Sequence, residues 1–315
     1  MEPVLSHLSA LEYWRSVRVG SRSFRTVQDP RRFLAAPPRK GELADPGPWW
    51  LTRPLHVLVG SDAARRMSSE VVCHVESADL PVGSILDTRN GFCVCSPELC
   101  FVQMASELSL PALIRLGFEL CGTYGVATVG KADFRFERPF TTPARLARFL
   151  DKAANMPGTV KARKALKHLV AGSASPMETT MAMLLCLPLR MGGYALPQPR
   201  MNHAVNPRGR SRLAVDDKCY YCDLIWPNAN IALEYDGREH HGTVNKMADD
   251  ATRRNNLLDR GVSVLTVTQN VETSSSSIIS HAPCRGSSGS VRDATSKRGA
   301  PNSTSCTANC WGPPS

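Results

Sequence analysis

Three acidic residues and a histidine follow one another closely in the second half of the chain: Asp223, Glu234, Asp236 and His240. Carboxylate oxygens are the ligands that hard divalent cations such as Mg²⁺ or Mn²⁺ prefer in proteins. A histidine close to such an ion can transfer protons near neutral pH, because its unperturbed pKa is about 6.5. These residue types at this spacing predict a metal-dependent hydrolytic site.

The surrounding pattern predicts a β-hairpin that positions the acids. Residues 220–226 and 231–236 are rich in aromatic and β-branched side chains, and residues 227–230, Pro-Asn-Ala-Asn, are typical of a turn. If these four residues form the loop, Trp226 lies opposite Ile231. The antiparallel register then continues outward along both strands.

In that register Asp223 lies opposite Glu234, and Asp236 shares the face of Glu234 because alternate residues of a strand point the same way. Three carboxylates would therefore converge. Opposed like charges repel, so the arrangement requires a compensating cation. The alternative, on spacing alone, is the solvated polar face of an ordinary hairpin.

A crossover unit is expected to follow the hairpin. Gly237 ends the second strand, residues 244–260 have a helical pattern, and Gly261 provides the stop. Residues 262–268 are a β-branched run typical of a buried strand. Strand, helix and strand predict a parallel pair.

The segment from residue 175 to residue 268 resembles the very-short-patch-repair-like branch of the PD-(D/E)xK nuclease superfamily. The similarity lies in an aspartate before a hydrophobic strand residue, then Glu-x-Asp-Gly-x-x-His and a following helix: Asp223, Leu224, Glu234, Asp236, Gly237, His240, Asp250, Arg254 and Leu258. It implies a restriction-endonuclease-like αβββαβ core that hydrolyses phosphodiester bonds in DNA, with Mg²⁺ or Mn²⁺ held by Asp223 and Glu234. The lysine of the family's third motif is absent, and Asp236 stands in its place. The resemblance therefore leaves open a decayed nuclease fold that binds nucleic acid or a toxin partner without cutting.

Glu178 has two interpretations. Ser175, Pro176 and Glu178 have the spacing of a helix N-cap, first turn and capping box, which accounts for the glutamate fully. The resemblance instead implies a glutamate on the first core helix beside the metal. We therefore retain Glu178 as a candidate catalytic residue.

Positive charge concentrates just before the hairpin. Residues 152–216 hold ten lysines and arginines against two acids, a net of +8 in a chain whose formal net charge is +10. Clustered positive charge is typical of proteins that bind polyanions, although a solvated basic surface is the plainer alternative. We expect Arg208, Arg210 and Arg212 to contact DNA.

Eleven cysteines are spread along the chain. Scattered cysteines in a chain without a secretory signal are more often thiols than bridges. Cys219 and Cys222 have zinc-site spacing, but strand alternation would put them on opposite faces and no second pair lies nearby.

The first half of the chain predicts a mixed α/β domain. We expect a helix over residues 1–18, strands at 55–59, 71–75 and 92–95, a turn at 89–91, and helices that start at Ser96 and over 111–120. A strand that ends in Ser-Pro-Glu before a helix weakly resembles AbiEi-like antitoxins. His7, His56 and His74 are far apart in sequence, and we expect each to be an isolated core or surface residue.

These patterns together predict an α/β protein with three regions. Residues 1–150 form a mixed α/β domain for positioning or partner binding, residues 151–270 form the endonuclease-like domain, and residues 271–315 form a disordered, aberrant tail. No apolar run reaches the ~18 residues of a membrane span, and the N-terminus does not resemble a signal peptide. We therefore expect a cytoplasmic protein with DNA as its partner.

Overall fold

The structure is a computed structural model and describes residues 2–17, 24–34, 50–65, 69–126, 134–135, 138–205, 219–236 and 244–268. Within these ranges the fold is mixed α/β, as the sequence predicts. The helices are α1 (His7–Ser16), α2 (Pro30–Leu34), α3 (Pro97–Glu107), α4 (Leu110–Cys121), α5 (Pro143–Lys152), α6 (Thr159–Leu166), α7 (Pro176–Cys186) and α8 (Val244–Asp259). Short 3₁₀ turns cover Asp62–Ala64 and Leu189–Met191.

The first half of the chain builds a mixed sheet. Its strands are β1 (Val4–Leu5), β2 (Arg25–Thr26), β3 (Leu55–Val59), β4 (Val71–Val75), β5 (Ile85–Asp87) and β6 (Cys93–Cys95), in the spatial order β2-β5-β6-β1-β3-β4. Strands β7 (Tyr124–Gly125) and β8 (Phe134–Arg135) pair separately. Strands β3 and β4 have the predicted bounds.

The expected helix over residues 1–18 is wrong at its start. Val4 and Leu5 form β1 between β3 and β6, and α1 begins only at His7. Both residues are buried, and the extended conformation lets them complete the sheet, so tertiary pairing overrides the helical spacing of the leucines.

The second sheet positions the candidate acids. It contains β9 (Arg200–Val205), β10 (Tyr220–Trp226), β11 (Ile231–Asp236) and β12 (Ser263–Thr268), in the order β12-β11-β10-β9. The hairpin has the predicted strands, and Trp226 lies opposite Ile231 as expected. β11 and β12 are parallel, which confirms the crossover pairing. The residue pattern did not locate β9, since its residues lie in the basic segment and lack a clear strand pattern, although the αβββαβ order implied by the resemblance has a strand at this place.

Local chemistry explains where the elements of this sheet begin and end. Ser175 Oγ accepts a hydrogen bond from the Glu178 backbone N–H and caps α7. Asn230 closes the hairpin turn at a φ of 52°, a conformation that asparagine tolerates better than most residues. After α8, Gly261 has a φ of 76° and Val262 N donates to Leu257 O at 2.9 Å. This is a Schellman ending, and it turns the chain into β12.

One cluster of buried side chains runs from Val4 to Leu233 and includes Leu150, which lies within α5. A smaller core of Cys222, Ile225, Ala232, Leu257 and Val262 lies between α8 and the second sheet. The division into domains near residue 150 stays a prediction, since it concerns independent folding. The tail from residue 271 lies outside the described residues.

In the described part of the chain, the cysteines form no disulfide. Cys219 is exposed and Cys222 is buried, in keeping with strand alternation. None of the described helices combines the length and the apolar character that crossing a bilayer requires.

Gly158 provides a test of the packing around α6. Its φ is +87°, and an added Cβ would lie 2.4 Å from Val102 O. Gly83 has a similar φ of +89° with nothing within 4 Å of the added atom. We expect Gly83→Ala to cost about 1 to 2 kcal/mol of unfolding free energy from the backbone alone. Gly158→Ala should lower the unfolding free energy, measured by urea denaturation, clearly more than Gly83→Ala does. Equal decreases in the two variants would show that the start of α6 moves to accommodate the added atom.

Candidate functional site

Asp223 lies in the middle of the second sheet, on β10 between β9 and β11. The hairpin pairs Leu224 with Leu233, so Asp223 and Glu234 come next in the same register. The Asp223 carboxylate accepts a hydrogen bond at its Oδ2 from the Tyr235 backbone N–H, at 2.9 Å. This bond fixes the half-buried carboxylate at the point where the regular pairing of the two strands ends.

Asn202 lies at the matching position of the edge strand β9. The pairing of β9 with β10 includes Cys222 with His203 and Leu224 with Met201, and Asn202 between them has a φ of 44°. Its side-chain amide donates to Gly172 O at 2.8 Å and also to Glu178 Oε2. The distorted residue therefore connects the sheet to the start of α7.

Glu178 is only 3% exposed. Its carboxylate accepts hydrogen bonds from the Ala174 backbone N–H at 2.7 Å and from the Asn202 amide. The glutamate thus reaches back to the residue before the N-cap, and not to Ser175 as in the expected capping box. Burial raises the pKa of Glu178; the nearby Asp223 carboxylate raises it further, while the hydrogen bonds oppose these two effects. Because Asn202 lies opposite Asp223 in the pairing of β9 with β10, its bond to Glu178 places the two carboxylates near each other.

Glu234 has a different neighbour. Its Oε1 lies 2.7 Å from Nη2 of Arg253 on α8, and Arg253 also donates to the Tyr221 backbone carbonyl. The Glu234 side chain is 20% exposed, so the pair is partly shielded from water. Alternation along β11 puts Glu234 on the side of Ala232 in the small core, whereas Leu233 belongs to the large core.

The predicted acids are therefore only partly brought together. Glu178 and Asp223 are close, Glu234 is bound to Arg253, and Asp236 is exposed at the end of β11. His240, Arg208, Arg210 and Arg212 lie outside the described residues. The expected compensating cation is present at Glu234 as an arginine. The Glu178 carboxylate is bound by neutral donors, and the Tyr235 backbone N–H donates to Asp223.

Among the described residues, the set of three metal-ligating side chains whose ligand atoms lie within 4.8 Å of one another is Glu2, Asp87 and Cys93. Burial raises the pKa of the Cys93 thiol, and the carboxylates beside it raise it further. A thiol that stays protonated is a poor metal ligand. An ion held by Glu178, Asp223 and Glu234 would have to draw their carboxylates closer than the structure places them.

Carboxylate oxygens are nevertheless the ligand type that a hard divalent ion prefers. Such an ion would also stabilise two neighbouring buried carboxylates by neutralising their charges. Glu178 comes from the rigid first turn of α7 and Asp223 from a central strand. Two acids on rigid elements, oriented by neutral donors, fit Mg²⁺ or Mn²⁺ in type.

The expectation that His7, His56 and His74 are isolated is wrong. The His7 and His74 rings stack with centroids 3.6 Å apart, and His56 Nδ1 lies 2.9 Å from His74 Nε2. His7 and His74 line a cavity of about 240 Å³ with Arg65 and Gln103. The sequence did contain a signal: His56 is the second residue of one apolar strand and His74 the fourth residue of another. When β3 and β4 pair, His56 lies opposite Val72, and His74 is two residues further along, so both histidines lie on one face of the sheet.

The histidine cluster predicts a loss of stability in acid. Burial lowers the pKa of His7 from 6.5 to about 3 and that of His74 to about 4. As the pH falls below 6.5, these histidines are protonated in the unfolded chain but stay neutral in the folded chain. The free energy of unfolding is therefore highest above pH 6.5 and decreases on acidification until the histidines of the folded chain are protonated as well. Each group contributes up to about 1.4 kcal/mol per pH unit before solvent screening reduces it.

Urea denaturation between pH 7 and pH 4 would measure this decline. His74→Gln should lose less stability over that range than the wild type, because one titrating group is gone. Parallel curves for the two proteins would contradict the assignment.

Comparison with models of known families, with curated proteins and with solved structures found no match to this chain. The resemblance of residues 175–268 to the PD-(D/E)xK nucleases therefore stays a prediction.

Proposed function

We propose that this protein is a metal-dependent DNA endonuclease of the PD-(D/E)xK type. The observation that carries the proposal is the buried Glu178 carboxylate, close to Asp223 and oriented by Asn202 of the neighbouring strand. In this proposal the hairpin and α7 belong to a restriction-endonuclease-like core.

Asp223 and Glu178 would be the principal ligands of one Mg²⁺ or Mn²⁺. Glu234, which the sequence pairs with Asp223, would join them on release from Arg253, or Asp236 would complete the ligand set. When bound, such an ion polarises a phosphate oxygen and lowers the pKa of an attacking water. His240, which follows β11 in sequence, is proposed to transfer a proton.

The described residues have distinct tasks in this scheme. The Tyr235 backbone N–H orients the Asp223 carboxylate, and the Asn202 amide with the Ala174 N–H orients Glu178. The raised pKa of Glu178 means that it binds a proton more readily than an ordinary glutamate, so protons and the cation would compete for it. Metal affinity should therefore increase with pH.

DNA is the proposed substrate, and the charge distribution supports it. The net charge of +10 and the basic residues 152–216 favour contact with a polyanionic backbone. Arg208, Arg210 and Arg212, which follow β9 in sequence, are proposed contacts. The domain that holds the first sheet would position the DNA or bind a protein partner.

A second function is favoured by one observation, the ion pair of Arg253 with Glu234. If this arginine is the permanent partner of Glu234, the protein would bind nucleic acid or a toxin partner without cutting. The absence of the family lysine points the same way. The two functions predict different results when Mg²⁺ is added to the protein bound to DNA: cleavage of the DNA in the first case and intact DNA in the second.

Plasmid relaxation with and without Mg²⁺ tests the nuclease directly. We expect cleavage by the wild type only with Mg²⁺ and none by Asp223→Asn, whose amide oxygen can still accept from Tyr235 N but carries no charge. Asp259→Asn, at an exposed acid of α8, removes the same charge elsewhere and should cleave normally. Cleavage by Asp223→Asn at the wild-type rate would contradict the proposed site.

Glu234→Gln separates the two functions. If Glu234 is a metal ligand, the variant loses cleavage while retaining DNA binding, and its unfolding free energy changes little. If Arg253 is its permanent partner, removing the carboxylate leaves a half-buried guanidinium and lowers stability by about 1 to 3 kcal/mol. Urea denaturation beside the plasmid assay would distinguish these outcomes.

A further inference from the structure

A cavity of about 230 Å³ opens on the second sheet, away from the Glu178 carboxylate. The edge strand β9, the hairpin turn and the end of α8 bound it, and Arg200, His203, Pro227, Asn230 and Arg260 are among its lining residues. Among the described residues that line it, the ionisable ones are two arginines and a histidine. Its chemistry therefore favours an anion.

Arg260 is held in place by uncharged groups. Its Nη1 donates to the Val205 backbone carbonyl at 2.9 Å, and its guanidinium carbon lies 4.8 Å from the centre of the Tyr220 ring. The carbonyl and the aromatic face orient the guanidinium. The arginine is thus oriented before any ligand arrives, which reduces the entropy lost on binding.

Arg200 and His203 lie on the same strand and are also coupled. Arg200 Nη1 lies 3.2 Å from His203 Nε2. Because a guanidinium only donates, Nε2 must accept, and the neutral imidazole then carries its proton on Nδ1. The pair therefore provides a cation and an imidazole donor at the mouth of the cavity.

We propose that this cavity binds a backbone phosphate of DNA, with Arg200 and Arg260 as the principal contacts and His203 as a further donor. Guanidinium groups match the geometry of phosphate oxygens and predominate among protein contacts to the nucleic-acid backbone. A phosphate is also small enough for the space.

The position of the cavity links it to the acids. His203 lies next to Asn202, whose amide binds Glu178, and is paired in register with Cys222 beside Asp223. A strand whose phosphate occupies the cavity would bring neighbouring phosphodiesters to that row of residues. This role in positioning the substrate rests on the proposed nuclease function, whereas binding of the phosphate does not.

Fluorescence anisotropy with a mixed-sequence DNA duplex, in a chelator and at several salt concentrations, tests the cavity. Arg200→Gln should weaken binding and reduce the log-log salt slope by about 0.9, the value for one phosphate contact on duplex DNA. Arg148→Gln removes the same charge from an exposed position of α5 outside the cavity and should leave the slope unchanged. Arg260→Gln, checked by thermal melting for its contacts with Val205 and Tyr220, should act like Arg200→Gln.

Equal slopes for Arg200→Gln and Arg148→Gln would overturn the proposal, as would a wild type that does not bind the duplex. Because the chelator prevents cleavage, the result is independent of catalysis. Altered slopes together with a plasmid that stays intact in Mg²⁺ would support the cavity and reject the nuclease. Cleavage of the plasmid together with unaltered slopes would support the nuclease and reject the phosphate site.

Discussion

The burial of the Glu178 carboxylate is the constraint on which the arrangement of this site depends. A carboxylate that is 3% exposed is tolerated only when donors satisfy it, and here they come from Ala174, just before α7, and from Asn202 on the edge strand β9. The second donor requires Asn202 to adopt a φ of 44°, away from ordinary strand geometry. The same bond holds α7 against the sheet, so the helix start, the edge strand and Asp223 are fixed relative to one another. A strained residue that serves a buried charge is typical of functional sites, where strain is retained for what it positions.

Charge compensation distinguishes the two sides of β10. On the side of α8, Arg253 already neutralises Glu234, whereas the Glu178 carboxylate meets neutral donors and is made harder to ionise by the Asp223 carboxylate. A hard cation would relieve that cost at Glu178 and Asp223 and would compete with Arg253 for Glu234. The cation that the hairpin acids require is thus partly provided by the protein itself. The metal proposal therefore depends more on Glu178 than the hairpin alone would suggest.

The sequence predicted the hairpin and crossover well because each signal there is local. The turn residues, the alternating strands and the glycine after α8 specify their own conformations, and they also specify the register of Trp226 with Ile231. What the sequence could not show depends on distant contacts. β9 forms because it pairs with β10, Arg253 reaches Glu234 from the crossover helix, and three histidines separated in sequence meet only when β3 and β4 pair. The short strand β1 was missed for the same reason. The leucine spacing there is typical of a helix, and Val4 and Leu5 form a strand only because they pair with β3 and β6.

The central claim is that Glu178 and Asp223 share one divalent cation. Calorimetric titration of Mn²⁺ near neutral pH into the wild type, Glu178→Gln, Asp223→Asn and the double variant tests it most directly. If the two acids hold one ion, the wild type binds Mn²⁺ with one-to-one stoichiometry, each single variant loses most of that affinity, and the double variant loses little more. Affinities that are unchanged in the single variants would show that the two carboxylates only cap a helix and end a strand pairing.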